Sequence, residues 1–238
     1  MNKIKFGTDG WRAIIADQYT TENVARVSTA VAIWLNNKFD DPSVVIGHDC
    51  RFAGKLFAET AAKVFVANGI LVKLAKDFVT TPMVSLGVVN EKASLGIVIT
   101  ASHNPPTYNG YKLKGDFGGP LLQEDITDIE MMIPDENTID YTSISMHNLV
   151  SNGDVVNIDL EDIYCRHAEA HFDLDSIRNS NINFAYDSMF GSGMNAVKRL
   201  LPDATFLHCD HNPGFMGIPP EPIHRNLQEF SNLMKDRN

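Results

Sequence analysis

Residues 44–46, 70–74 and 95–99 are short apolar runs built largely of Val, Ile and Leu. Runs of this length, too short for helices and lacking polar alternation, read as buried strands. Between the first two, residues 55–67 place Ala58, Ala61, Ala62 and Phe65 on one helical face and stop at Asn68-Gly69. Strand, helix, strand in this order is a βαβ unit, which forces parallel strands beneath a covering helix. Thr81-Pro82 opens a second short helix through Val89. Further upstream, Thr20 or Thr21 caps a helix whose Val24, Val27, Val31, Trp34 and Leu35 form one apolar stripe. Ile4 and Phe6 read as an entry strand before the turn Gly7-Thr8-Asp9-Gly10. Alternating elements of this kind predict a layered α/β fold.

The pattern weakens after Leu121. Ile126 and Ile129 suggest a helix that Pro134 ends, and residues 134–157 read as a polar interdomain connection with short strands. A new unit begins near Asp159, which caps a helix carrying Leu160, Ile163, Tyr164 and Ala168 on one face. The segment VVIGHDCRFAGK (44–55) can be laid over INFAYDSMFGSG (182–193), bringing Asp49 onto Asp187 and Phe52 onto Phe190. A helix and then a strand follow each, the strands at 70–74 and 204–209. The expectation is a first domain at 1–145 and a second at 155–238. Both are layered α/β/α with mixed sheets, one complete and one partial, of related architecture.

The chain has 238 residues and a formal net charge of −10. That length holds ample core for one large or two modest domains. The negative charge argues against nucleic acid as a partner, since phosphate backbones attract basic surfaces. Cys50, Cys165 and Cys209 are few, odd in number and without C-x-x-C spacing, which implies a reducing compartment. The N-terminus lacks an apolar signal segment and no stretch reaches membrane-spanning length, so the expected setting is the cytoplasm, with no membrane partner. No feature of the sequence sets an oligomeric state.

The run 95–99 delivers a polar stretch, Thr100 to Gly110, that carries Pro105, Pro106 and Asn109-Gly110; residues 111–114 then return as a second short strand. One hairpin-like unit thus presents the Ser102 hydroxyl, the His103 imidazole and the Lys112 and Lys114 ammonium groups. A hydrolase triad needs a His that reaches the serine and an acid that orients it. Neighbours in sequence seldom meet that geometry, and no Gly-x-Ser-x-Gly elbow surrounds Ser102. A serine among cations suits attack at phosphorus, where charge stabilisation dominates. Phosphorylation would give Ser102 about −1.5 to −2 charges for those cations to offset. On residue types alone, an ordinary polar turn with two solvated lysines fits equally well.

Thr100-Ala101-Ser102-His103-Asn104-Pro105 resembles the phosphoserine loop of the α-D-phosphohexomutases, the phosphoglucomutase/phosphomannomutase family. Three more stretches follow the family's order. Phe6-Gly7-Thr8-Asp9-Gly10-Trp11-Arg12 resembles its N-terminal motif, Gly47-His48-Asp49-Cys50-Arg51 its Gly-x-Asp-x-Arg turn, and Asn109-Gly110-Tyr111-Lys112 the motif after the serine loop. The resemblance implies that phospho-Ser102 donates its phosphoryl group to a hexose phosphate, that the bisphosphate turns over in the cleft, and that Ser102 takes back the other phosphoryl. The net result moves a phosphoryl group between the 1- and 6-positions. It also implies Mg²⁺ bound through a phosphoryl oxygen on Ser102, and a sugar 1,6-bisphosphate as activator. Arg12, His103 and Lys112 would join Ser102 as catalytic residues, with Lys112 the acid/base, and Thr8, Arg12 and Lys112 would bind substrate. Arg12 and Lys112 should then lie in one cleft with Ser102, at least partly exposed. Arg51 has two readings, a substrate contact or a brace for its own turn through Asp49.

Family members are longer, with an Asp-Gly-Asp metal loop in domain two, a sugar-recognition loop in domain three and a phosphate-binding loop in domain four. Here residues 218–222 (Ile-Pro-Pro-Glu-Pro) and the polar tail resemble the stretch before that metal loop. The expectation is therefore a phosphohexomutase fragment, inactive as a mutase by itself. The alternative is a non-catalytic phosphate- or sugar-phosphate-binding module, and a serine hydrolase is a third reading. Glucose, mannose and amino sugar phosphates are not distinguished. Asp173-Leu174-Asp175 is not assigned as a metal site. Nor are His167 and His171, where Ala168 stands in place of the zincin Glu, or His208-Cys209-Asp210-His211, whose side chains alternate at a strand end.

Overall fold

All five residues of the strand Leu95–Ile99 are buried, which requires a partner on each edge and cover on each face. The computed structural model, which describes residues 4–7 and 10–236, supplies both. In chain order the first elements are β1 (Trp11–Ile14), α1 (Thr21–Lys38), β2 (Ser43–His48), α2 (Gly54–Ala67), β3 (Leu71–Ala75), α3 (Thr81–Asn90), β4 (Leu95–Ile99) and β5 (Tyr108–Gly115). Then come α4 (Gln123–Met132), α5 (Met146–Asn152), β6 (Val155–Ile158), α6 (Leu160–His171), α7 (Leu174–Arg178), β7 (Ala185–Asp187), α8 (Met194–Leu200), β8 (Thr205–Leu207) and α9 (Gln228–Asp236).

The large sheet has the order β1-β5-β4-β2-β3-β6. Strands β2, β3, β4 and β6 are parallel, while β5 pairs antiparallel with both β4 and β1. Side chains alternate between two apolar layers, as period two demands. Val44, Ile46, Leu95, Ile97 and Ile99 share one layer with Val27, Val31 and Phe65 of α1 and α2. Val45 and Val98 share the other with Met83, Val84 and Val88 of α3 and Leu160 of α6. The helix starts follow local chemistry: Thr20 accepts the Asn23 N–H at 3.2 Å and Asp159 accepts that of Asp162 at 3.0 Å.

Two expectations shift. Ile4 and Phe6 are buried but belong to no strand; the Phe6 N–H is taken by the Glu130 side chain, and the first strand forms at Trp11–Ile14. The connection at 134–157 ends in α5 and β6, and β6 pairs with β3, Val155 opposite Val72. Helix α6 also covers the first sheet, through buried Leu160 and Cys165. Elements past residue 145 thus complete the first layered unit. A two-sided edge strand with only Val155 fully buried leaves little apolar signal in the sequence.

Beyond α6, β7 and β8 make a separate two-stranded parallel sheet, Tyr186 opposite Phe206. The internal echo appears as a repeated turn. The Asp49 carboxylate accepts the Arg51 N–H at 3.0 Å, and the Asp187 carboxylate accepts the Met189 N–H at 2.9 Å.

Gly47 sits in β2 where a Cβ would stand 2.5 Å from Val79 Cγ2 and 2.7 Å from Val84 Cγ2. Both valines are buried, and β-branched side chains have little freedom to yield. Gly47→Ala is therefore expected to destabilise the chain by about 1–3 kcal/mol through overpacking. A lower urea midpoint at unchanged slope would report it.

Candidate active site

Strands β2 and β4 are neighbours with His48 opposite Ile99, and the Asp49 N–H donates to the Ile99 carbonyl at 3.0 Å. Past this edge the chain departs in opposite directions. From β2 it turns through α2 to β3, and from β4 it runs through residues 100–107 to β5. Such a divergence opens a crevice at the carboxyl ends of parallel strands. Ser102 and His103 are exposed there.

Ser102 has φ +57°. A non-glycine residue in the left-handed region costs on the order of 1–3 kcal/mol and persists only where its surroundings enforce it. Three side chains do so. The Thr100 hydroxyl donates to Asp49 Oδ2 at 2.5 Å and accepts the Ser102 N–H at 3.0 Å. Arg51 reaches across from β2: Nη2 donates to the Ser102 and Asn104 carbonyls at 2.8 and 2.7 Å, and Nη1 to those of Pro105 and Tyr108 at 2.8 and 3.0 Å. Its Nε lies 3.2 Å from Asp49 Oδ2, an ion pair whose N–H is not aligned for a hydrogen bond. Burial pushes the Asp49 carboxyl above its usual range, against the opposing pull of Arg51 and the Thr100 hydroxyl. The same burial lowers the guanidinium of Arg51, with Asp49 opposing. Of the two readings of Arg51, the brace is the one seen, and it reaches far beyond its own turn.

The expected site residues divide. Arg12 is half-buried, and its Nη1 donates to Asn104 Oδ1 at 2.9 Å, which ties β1 to the serine loop. His103 Nδ1 lies 3.4 Å from Ser102 Oγ, and no ion pair among the described residues gives that imidazole an orienting acid. Lys112, expected at least partly exposed, is only 6% exposed. It sits mid-strand in β5 opposite Val98, and a Cβ on Gly10 would come within 2.9 Å of its Cγ. Its stem is enclosed because Gly10 packs directly on the face of β5 from which it projects. Thr8 lies outside the described residues.

The second unit supplies the facing wall. A cavity of about 360 Å³ lies between Thr100, Ser102 and His103 on one side and Ser188, Ser192 and Phe215 on the other. Cys50 reaches into this junction, with Sγ 3.6 Å from Ser192 Oγ. Burial pushes its thiol up to about 12, so it stays neutral and is no nucleophile at neutral pH. Nothing in the sequence pointed to Ser188, Ser192 or Phe215 at the site; only the repeat of Asp49 in Asp187 hinted that the second turn lies near the first.

Among the described residues no group of three or more His, Cys, Asp or Glu side chains is placed to hold a metal ion. Asp173 caps α7 through the Ser176 N–H at 2.9 Å, and Asp175 pairs with Arg178. The rings of His167 and His171 stack at 4.0 Å, and His171 Nδ1 meets the His167 carbonyl at 2.8 Å. His208 lies 2.9 Å from Asp187, whereas His211 stacks on Phe78, so the two histidines of 208–211 turn to different partners.

Residues 3–140 match the family described as phosphoglucomutase/phosphomannomutase, alpha/beta/alpha domain I. The chain is 28% identical over 230 residues to a phosphoglucomutase of Staphylococcus haemolyticus, covering 91% of this chain and 41% of that protein. It is 28% identical over 237 residues to a protein of Methanosphaera stadtmanae assigned as a phosphoglucosamine mutase, covering 98% and 50%. A crystal structure from Thermus thermophilus, assigned as a phosphomannomutase, superimposes with a TM-score of 0.86 at 32% identity, covering 98% of this chain and 52% of that one. The chain spans about half the length of these relatives.

Thr100→Val would strip the Asp49 carboxylate and the Ser102 N–H of one partner each. Leaving such groups unmet costs about 1–3 kcal/mol, and Thr100→Ser should recover most of it. Urea unfolding of the two variants beside the parent chain measures the difference.

Proposed function

Because this chain belongs to the phosphoglucomutase/phosphomannomutase family, we propose that it supplies the phosphoserine loop of a phosphohexomutase, with Ser102 as phosphoryl acceptor and donor. The observation that carries this is Ser102 itself. A hydroxyl held outward in the left-handed region, on a loop pinned from beneath, faces a crevice large enough for a sugar phosphate.

In the forward step Ser102 Oγ attacks the phosphorus of a sugar 1,6-bisphosphate. The Oγ–P bond forms, the P–O bond to the sugar breaks, and the hydroxyl proton passes to His103 Nδ1, which already faces Oγ. The acid for the departing sugar oxygen is Lys112, whose stem is fixed against Gly10 and whose buried ammonium has to turn into the crevice to deliver its proton. Arg12, tied to the loop through Asn104, offsets the charge on phospho-Ser102. Phospho-Ser102 then gives this phosphoryl to the free hydroxyl of a hexose monophosphate; when that new bisphosphate turns over and returns the phosphoryl of its opposite position to Ser102, the move between the 1- and 6-positions is complete. The substrate class is a hexose phosphate, since the relatives carry glucose, glucosamine and mannose names. Mg²⁺ would find one oxygen here, on phosphorylated Ser102, and no donor set of three beside it among the described residues. The described residues do not make a magnesium site. Sustained mutase turnover is accordingly not expected of the 238-residue chain. Three buried, free cysteines fit a reducing, cytoplasmic setting. Among the described residues no helix is long and apolar enough to cross a membrane.

Incubation with glucose 1,6-bisphosphate should add one phosphoryl mass, mapped to Ser102 and absent from Ser102→Ala. Binding without any mass change would favour the non-catalytic sugar-phosphate module, and labelling by a fluorophosphonate would favour a hydrolase. Lys112→Met keeps the apolar stem against Gly10 and deletes the ammonium. It should slow phosphorylation of Ser102 by about 10²-fold or more, the usual scale of a general acid. Its melting temperature should stay within a few degrees of the parent, as scanning calorimetry would show.

A further inference from the structure

We infer that Arg51 is the positioning residue of the serine loop: its guanidinium fixes the backbone that carries the Ser102 hydroxyl and touches no substrate. The inference rests on the reading of Ser102 as the phosphoryl acceptor.

The guanidinium has five N–H donors in one rigid plane. Four reach carbonyls of residues 102, 104, 105 and 108, and Nε lies 3.2 Å from Asp49 Oδ2 as an ion pair. The side chain is 0% exposed, so a phosphate in the crevice has no route to it. The Phe215 ring, from the second unit, lies over the guanidinium carbon with its centroid 5.1 Å away.

Ser102 is pinned on both flanking peptide planes. Its N–H is held by Thr100, its carbonyl by Arg51, and Asp49 joins those two side chains. With both planes fixed, φ and ψ of Ser102 are fixed, and only the side-chain torsion is left to aim Oγ. A lysine offers three donors from one point and cannot span four carbonyls.

The test uses the 238-residue chain with Arg51→Lys, and with the double variant Asp49→Asn/Arg51→Gln. The double variant removes both charges, so none is left buried alone. Hydrogen exchange should show amides at 101–110 opening at least about tenfold faster, while those of β2 and β4 keep their protection. Phosphorylation of Ser102 by glucose 1,6-bisphosphate should lose about 10²-fold in maximal rate, the scale of an ångström misplacement. The half-saturating concentration should move by less than about threefold, since no substrate contact is lost.

A loop protected as in the parent would overturn the inference. So would a raised half-saturating concentration at unchanged maximal rate, the mark of a substrate contact. Equal loosening of β2, β4 and the loop in both variants would make Arg51 a residue of the fold only, and overturn it too. If the parent chain takes no phosphoryl group, the acceptor reading of Ser102 fails, and exchange alone decides whether Arg51 holds the loop.

Discussion

A charge sealed from water must be met by partners in place, or it costs several kcal/mol. Arg51 is such a charge, and most of the site's geometry follows from satisfying it. One carboxylate, Asp49, balances it, and four carbonyls of the serine loop take its donors. Those partners converge only because β2 and β4 lie side by side and end at the same edge. The sheet order, the acid at the end of β2 and the shape of the loop after β4 are therefore one arrangement. Loss of one member of a buried pair typically costs about 3–5 kcal/mol, which is why the loop can hold a strained serine outward.

The second unit shows the same turn without the cation. Asp187 ends β7 and accepts the Met189 N–H as Asp49 accepts that of Arg51. Where Asp49 meets a guanidinium and a threonine hydroxyl, Asp187 meets His208 at 2.9 Å, and the Phe190 ring lies 4.9 Å from that imidazole. An acid at the end of a parallel strand is thus common architecture. The cation two residues later, and the loop it grips, belong to the first unit. The second contributes the opposite wall through Ser188, Ser192 and Phe215, joined across the buried cluster of Cys50, Met194, Cys209 and Phe215.

Burial changes the meaning of the lysines. Lys112 and Lys114 read as solvated or cleft-lining cations beside Ser102, yet they are only 6% and 7% exposed. Two positions apart along β5, they share one face of the sheet, and that face is covered: Gly10 packs on Lys112, and Lys114 lies beside Gly96 where Val84 and Val88 of α3 pack. Arg12, on the edge strand β1, keeps partial exposure and reaches the loop. Position within the sheet, more than residue type, separates these cations.

The elements themselves were legible because their causes are local. The Thr20 and Asp159 caps, the stop at Asn68-Gly69, the apolar runs and the turn residues of 100–110 act within a few positions of one another. The motif around Ser102 and the echo of Asp49 in Asp187 were legible for the same reason. Entry by Ile4 and Phe6, the place of β6 in the first sheet, the enclosure of Lys112 and the reach of Arg51 were not. Each depends on which strands become neighbours, and that is decided by the joint burial of residues far apart in the chain: Val155 against Val72, Gly10 against Lys112, Arg51 against Tyr108. Local pattern determined what could form, and tertiary burial decided which charged groups would face water and which would hold the site together.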